Sequence, residues 1–194
     1  METLNPEDYT KEKRTINPVW ANIFVLILFV PTVLIFGLPY RLVWGDFFSS
    51  QEYQSFKEHG GLWIFILAFL IGAVIHELIH GIFFVMYAKN GWKSIKFGIM
   101  WKALAPYCHC KEPLTVKHYI IACVMPAIFL GIIPSIVAIC IGNFPLLVFG
   151  ILFTIMAGGD FLIIKMLLKE DKNDWIEDHP SEAGFYIYKK KENG

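Results

Sequence analysis

The stretch Gly61–Tyr87, GLWIFILAFLIGAVIHELIHGIFFVMY, decides the class of fold to which this chain belongs. Outside the segment HELIH its residues are apolar or glycine, and it exceeds the roughly 20 residues that a helix needs to cross a bilayer. The composition agrees, because 56% of the residues are hydrophobic, against roughly 45–50% in a soluble domain. The stretch therefore predicts a transmembrane helix in an integral membrane protein.

The segment HELIH, residues 76–80, has the spacing of a metal site inside this apolar run. Positions i and i+4 lie on one face of a helix, so the imidazoles of His76 and His80 can reach one ion, and HExxH is a zinc-hydrolase signature. Glu77 lies one position away and can act on a water molecule without being a ligand. A charged side chain at the bilayer centre costs about 2.5–3.5 kcal/mol, which argues against chance. We predict that His76 and His80 bind Zn²⁺ and that Glu77 is catalytic.

Other apolar runs flank this one and predict an all-α polytopic membrane protein. We expect four transmembrane helices of about 20 residues or more, at approximately residues 18–38, 62–87, 119–141 and 145–168. They form one membrane domain, residues 18–168, between an N-terminal tail, residues 1–17, and a C-terminal tail, residues 169–194. The last two spans are antiparallel neighbours because their connection is very short.

Lysine and arginine predict the orientation of these spans. They are abundant in both tails and in the connection after the second span, and sparse in the other two connections. Basic residues favour the cytoplasmic side, so both termini are predicted to be cytoplasmic. His76 follows the outer end of its span by about 14 residues, or roughly 21 Å. This places HELIH in the cytoplasmic half of the membrane.

A catalytic zinc ion takes three protein ligands and keeps one open position. The best third candidate is Asp160, the one carboxylate in the fourth apolar run. It follows the outer end of that run by about 15 residues, which is nearly the depth of His76. Gly158 and Gly159 would let this helix approach another closely. The alternative is an ion pair between Asp160 and Lys165; the matching depth favours a ligand.

The connection after the second span contains an alternating segment, SIKFGIMWK, residues 94–102. Alternation with period two predicts a strand, and residues 105–110 could return as its hairpin partner. Because an extended substrate can pair with an exposed strand edge, Ile99 and Trp101 are candidate substrate-binding residues. The other interpretation is an amphipathic loop that rests on lipid through Trp92 and Trp101, and both stay open.

The segment Cys108-His109-Cys110 lies in the same connection. In a strand the two cysteines share one face and His109 takes the other, so the three cannot all bind one metal ion. We expect the cysteines to be small strand residues in a reducing compartment. His109 is a candidate for binding the substrate carbonyl. In the C-terminal tail, His179 is predicted to cap or turn the chain, and residues 185–188 could form a strand.

The HELIH segment, with a glycine-flanked aspartate downstream, resembles the site-2 protease type of intramembrane zinc metalloprotease. More closely, the chain from about Leu62 onward resembles a family of small bacterial membrane proteins described as zincin peptidases, whose members have a domain of unknown function. The motifs that carry this resemblance are HELIH, Gly158-Gly159-Asp160, and Asp178-His179-Pro180 followed by Gly184. The chain departs from site-2 proteases in having Phe161 rather than glycine after the aspartate.

The resemblance implies a bacterial cytoplasmic membrane protein in which His76, His80 and Asp160 bind zinc and Glu77 is catalytic. The expected function is an intramembrane peptidase whose partners are a membrane protein or peptide substrate and the lipid bilayer, with no nucleic acid. The alternative is a catalytically silent zincin-like membrane protein that acts as a binding or scaffold partner. A metal carrier is less well supported, because a carrier needs polar ligands along a path through its spans.

Overall fold

The structure, a computed structural model, describes residues 9–46, 51–101, 105–179 and 182–191. It combines apolar helices with two small antiparallel sheets. The helices are α1 (Pro18–Thr32), α2 (Leu38–Trp44), α3 (Gln51–Glu58), α4 (Gly61–Tyr87), α5 (Val116–Pro126), α6 (Ile133–Ile141), α7 (Phe144–Met156) and α8 (Gly158–Leu167). The strands are β1 (Tyr9–Thr15), β2 (Ile95–Met100), β3 (Ala105–Cys110), β4 (Leu114–Thr115), β5 (Trp175–Asp178) and β6 (Gly184–Lys190).

Among the described residues, three continuous helical stretches are long and apolar enough to cross a membrane, namely Val19–Trp44, Gly61–Tyr87 and Val116–Ile141. Short π-helical segments, Val33–Gly37 and Ala127–Ile132, continue the first and third through their proline-containing parts. The fourth apolar run is broken, because α7 and α8 meet at a 43° bend. The expectation of four continuous spans is therefore corrected to three, or up to four if the bent pair counts as one.

The prediction of an all-α fold is wrong, because six strands form two antiparallel sheets. Four of them build one sheet in the order β1-β6-β5-β4, and three of these come from the predicted tails. Strand β6 contains the strand expected at residues 185–188, and Phe185, Ile187 and Ile176 are buried. The expected hairpin is present, with β2 and β3 as its strands.

The chain divides into two compact units. One comprises residues 1–21, 77–125 and 160–194. Its apolar core lies beside the four-stranded sheet and is formed by fully or almost fully buried side chains, among them Phe84, Leu114, Val116, Leu167 and Ile176. The hairpin contributes Ile95 and Cys110 to the same core. The sheet and the hairpin are therefore built into this unit.

The other unit comprises residues 22–76 and 126–159 and is helical. Its helices approach closely at glycines, since a Cβ atom on Gly131 would overlap the side chain of Thr154 and one on Gly150 would lie 2.7 Å from the carbonyl oxygen of Gly131. Small residues are common where membrane helices pack closely. The indole Nε1 of Trp44 also donates to the carbonyl oxygen of Ile139, at 2.8 Å.

Candidate metal centre

Helix α4 buries one narrow stripe and exposes the rest of its apolar surface. His76 and His80 are each only 7% exposed, whereas Val74, Ile75 and Leu78 are 62%, 38% and 42% exposed. Because the two histidines are four positions apart, they share the buried face. The helix thus turns its imidazoles inward and its aliphatic side chains outward, as a lipid-exposed helix with an internal polar site would.

Asp160 joins these histidines at the first turn of α8. One nitrogen of His76, one of His80 and one carboxylate oxygen of Asp160 all lie within 4.8 Å of one another. The distance between His80 Nε2 and Asp160 Oδ1 is 3.4 Å. Within the described ranges, this is the one group of three or more histidine, cysteine or acidic residues that lies close enough to hold a metal ion.

The surroundings of His80 show that this group fits zinc. His80 Nδ1 lies 3.0 Å from the carbonyl oxygen of Ala122, and a carbonyl only accepts hydrogen bonds, so Nδ1 is the protonated nitrogen. In the neutral imidazole, Nε2 then presents its lone pair towards the carboxylate of Asp160. The lone pair of Nε2 and the carboxylate of Asp160 repel each other unless a cation lies between them. Two imidazoles and a carboxylate form a zinc ligand set, and a carbonyl that orients the ligand histidine is the usual outer partner.

Asp160 owes its position to the break between α7 and α8. Ala157 leaves helical geometry with φ −68° and ψ 8°, and α8 starts at Gly158. A Cβ atom on Gly158 would lie 2.9 Å from Val25 Cγ2, whereas one on Gly159 would meet nothing within 4 Å. The close approach expected of both glycines is therefore found at Gly158 alone. The first turn of a helix also favours a negative charge, which suits Asp160.

The hairpin β2–β3 packs against α4 directly after the motif. A Cβ atom on Gly81 would overlap the ring of Phe97, so only a glycine next to His80 leaves room for this ring. Phe97 pairs with Cys108 across the hairpin. Burial, and then the negative charge of Glu77, raise the pKa of the Cys108 thiol. Strand β3 therefore passes close to the predicted catalytic carboxylate.

Two of the predicted substrate-binding residues lie at the exposed end of the hairpin. Ile99 is 52% exposed in β2, and Trp101 is 75% exposed in the turn that follows this strand. On the face of β2 that carries Ile95, Phe97 and Ile99, exposure rises from 8% at Ile95 to 44% at Phe97. The base of the hairpin thus belongs to the core, and its far end is an open apolar surface.

His109, the third of these residues, contacts an acidic residue that the sequence analysis did not place at the site. His109 Nδ1 lies 3.6 Å from Asp178 Oδ2, and its side chain is 20% exposed. Asp178 belongs to β5 and accepts a hydrogen bond of 2.7 Å from the backbone N–H of Cys110 and another from the hydroxyl of Tyr119. Burial raises the pKa of the Asp178 carboxyl. Its place in the Asp178-His179-Pro180 motif, which helps to carry the family resemblance, was the available signal.

The remaining predictions concern residues away from the metal group. Cys108 and Cys110 share the side of β3 that faces the core, as expected, and both are free thiols. The prediction that His179 turns the chain is confirmed, because its Nδ1 accepts from the backbone N–H of Glu182 at 2.9 Å. Pro180 lies outside the described residues. His118 stacks on Tyr87 with ring centroids 4.1 Å apart.

Comparison with protein-family models matches residues 69–175 to a family described as "Putative zincin peptidase". The matched range includes HELIH, the hairpin and Asp160, and it ends before Asp178. Comparisons with curated proteins and with solved structures gave no match. The family match covers more than half of the chain and contains every residue of the candidate metal centre. The chain therefore belongs to this zincin peptidase family.

Proposed function

We propose that this chain is a zinc-dependent peptidase that hydrolyses peptide bonds of membrane-associated proteins or peptides, at or within the bilayer. Membership of a zincin peptidase family suggests a metallopeptidase. The observation that most supports the finer proposal is the convergence of His76, His80 and Asp160 within 4.8 Å, with both histidines on a helix that is long and apolar enough to cross a membrane.

In this proposal His76 and His80 each offer one imidazole nitrogen to the zinc ion, and Asp160 offers a carboxylate oxygen. A zinc ion bound there supplies Lewis-acid polarisation of the scissile carbonyl and lowers the pKa of a coordinated water. The carbonyl of Ala122 keeps the imidazole of His80 in the orientation and tautomer that binding requires. The bent α7–α8 pair sets the position of Asp160.

Glu77 is the general base and then the general acid. Its carboxylate accepts a proton as the oxygen of a water molecule forms a bond to the scissile carbonyl carbon. It then delivers that proton to the amide nitrogen as the carbon–nitrogen bond breaks, so that a carboxylate and an amine leave. Because Glu77 directly follows His76 on α4, it lies next to the metal centre without being a ligand. The site next to it is partly accessible, because the side chain of Asp160 is 20% exposed.

The substrate must present an extended segment. A helical substrate engages its carbonyl groups in its own hydrogen bonds, so the scissile peptide has to unwind locally before Glu77 and water can act on it. We propose that the chain lies in the bacterial cytoplasmic membrane, with both tails and the hairpin on the cytoplasmic side, so that water reaches the site from there. The charge pattern of the sequence supports this orientation.

The decisive experiment compares wild type with Glu77→Gln, His76→Ala and Asp160→Ala, each purified in detergent. Zinc content is measured by mass spectrometry, and cleavage is measured with fluorescein-labelled casein and by mapping new N-termini in membrane vesicles. We expect Glu77→Gln to keep zinc and lose cleavage, and the other two variants to lose both. Wild-type protein that never holds stoichiometric zinc would refute the proposal. Zinc binding without any cleavage in wild type would instead indicate a binding or scaffold protein.

A further inference from the structure

Asp178, which lies beyond the matched family range, joins three elements of one unit. It is the last residue of β5, and its side chain is only 10% exposed. One carboxylate oxygen accepts the backbone N–H of Cys110 in β3, and the other accepts the hydroxyl of Tyr119 in α5. A buried carboxylate is costly unless it is hydrogen-bonded. Asp178 therefore holds the hairpin strand, the start of α5 and the C-terminal strand together.

The contact with Tyr119 leads towards the candidate metal centre. Tyr119 lies about one helical turn before Ala122, the residue whose carbonyl oxygen lies 3.0 Å from His80 Nδ1. Its ring also packs on Phe84, with centroids 5.3 Å apart, and Phe84 stacks on His80 at 6.2 Å. Asp178 is thus three contacts away from a proposed zinc ligand. The ligand itself is held by a backbone carbonyl that Asp178 does not touch.

The contact with Cys110 leads to His109, the candidate for binding the substrate carbonyl. Cys110 follows His109, whose Nδ1 faces the carboxylate of Asp178 at 3.6 Å. An imidazole that directs Nδ1 to a carboxylate directs Nε2 to the opposite side of the ring. The His109 side chain is 20% exposed, so this second nitrogen has a route to the surface.

We propose that Asp178 is a positioning residue of the peptidase site: it fixes β3 against α5 and orients His109 so that Nε2 hydrogen-bonds an extended peptide substrate. The inference rests on the proposed function and assigns to strand β5 an indirect part in substrate binding. His109 contacts the substrate, and Asp178 acts through it. We expect the zinc ligands to keep their geometry without Asp178, because the carbonyl of Ala122 holds His80.

The variant Asp178→Asn tests this arrangement. An asparagine side chain keeps one acceptor oxygen, which can serve Tyr119, but it turns an NH₂ donor towards the N–H of Cys110 and loses the charge that faces His109. Strand β3 should open more often. Glu177→Gln is the matched control, because it removes the neighbouring carboxylate, which is 30% exposed and binds Lys11 at 3.1 Å instead.

The first readout does not depend on activity. Each variant is treated with N-ethylmaleimide in detergent, and the modified cysteines are identified by mass spectrometry. Loss of a buried hydrogen bond raises the open population about tenfold, so Cys108 in Asp178→Asn should react about tenfold faster than in wild type, while Glu177→Gln reacts at the wild-type rate. Zinc affinity, measured by chelator competition, should stay within about threefold of wild type. An unchanged rate at Cys108, or equal acceleration in both variants, would refute the role of Asp178.

The second readout separates positioning from general destabilisation. With labelled casein as substrate, Asp178→Asn should raise KM about tenfold, with little change in kcat. The same change in a His109→Gln background should have no further effect on KM, because the residue through which Asp178 acts is already gone. If Asp178→Asn does not fold, Tyr119→Phe is measured in its place, because it removes the hydroxyl that donates to Asp178 and keeps the ring. Additive KM effects would overturn the proposal; absence of cleavage in zinc-loaded wild type would overturn only the proposed function.

Discussion

The imidazole of His80 directs its Nδ1 atom to the carbonyl oxygen of Ala122, 3.0 Å away and 42 positions later in the sequence. The carbonyl belongs to a residue with no exposed surface, in a helix that is itself long enough to cross a membrane as part of Val116–Ile141. Through this contact, the packing of α5 against α4 determines which nitrogen of His80 faces Asp160.

Displacing this carbonyl should weaken zinc binding without changing any ligand. Ala122→Leu overfills a closed position and moves the backbone of α5, and loss of an outer partner of a ligand histidine lowers metal affinity about 10–100-fold. The measurement is zinc competition against a chelator, on protein that elutes as a single species. Ala138→Leu is the control, because Ala138 is equally buried and belongs to α6. Equal affinities in the two variants would contradict the assignment.

Gly81→Ala should move the ring of Phe97. The added methyl group overlaps the end of that ring, but Phe97 is 44% exposed and can swing outward, so we expect a stability loss of only about 1 kcal/mol. Thermal unfolding in detergent measures this loss. Gly159→Ala should be neutral, since a Cβ atom there meets nothing within 4 Å. In a Phe97→Ala background, Gly81→Ala should cause no further loss of stability, because the ring that it displaces is absent. Equal losses of stability in both backgrounds would argue against the contact.

Gly150→Ala should cost more than Gly81→Ala, because two backbone atoms obstruct the new Cβ atom in addition to the side-chain Oγ of Ser135. The new Cβ atom would lie 2.7 Å from both the carbonyl oxygen of Gly131 and the amide nitrogen of Ser135, and neither can move without shifting a helix. We expect a loss of about 3 kcal/mol, at the upper end for overpacking. Gly37→Ala is the comparison, since its nearest neighbour is a Val33 methyl group at 3.6 Å. Folded yield and melting temperature should separate the two variants clearly.

Cys110 should make stability depend on alkaline pH. Burial raises the pKa of its thiol from the ordinary 9.0 to about 12. Above pH 9 the unfolded chain loses this proton while the folded chain keeps it, so the contribution of the thiol is intact below pH 9 and is lost as pH rises towards 12. The loss is about 1.4 kcal/mol per pH unit. The check is the melting temperature of wild type and Cys110→Ala between pH 8 and pH 10.5, where the difference between them should shrink as pH rises. A constant difference would contradict the shifted pKa.

The chemistry of the candidate site could be predicted from sequence because it depends on residue type and helical spacing. The i, i+4 geometry of His76 and His80 follows from helix periodicity, and Asp160 was found by comparing depths along two apolar runs. The structure brings the three together. The bend after Met156 was not predicted, although the Gly158-Gly159 pair is the kind of local weakness in a helix that permits one.

Strands β1 and β5 escaped prediction for a different reason. In β1 every residue except Tyr9 is polar or charged, and in β5 two apolar residues precede two acidic ones, so neither segment alternates and both resemble solvated tails when they are judged by composition. Their structure depends on pairing between distant positions, such as Lys11 with Tyr188. The partners of Asp178 are also distant in sequence, since Cys110 lies 68 positions away. Local patterns carry no information on such pairings in a single sequence.

The pairing of β1 with β6 constrains how the chain can be threaded through a bilayer. Strands that share a hydrogen-bonded sheet lie on the same side, and β4 and β5 belong to this sheet as well. If the apolar helices cross a bilayer, the chain crosses it an even number of times between β1 and β4, and an even number of times between β4 and β5. Reporter fusions at the two termini should give the same signal, and any deletion that removes a single crossing should separate β1 from β6 and dismantle the sheet.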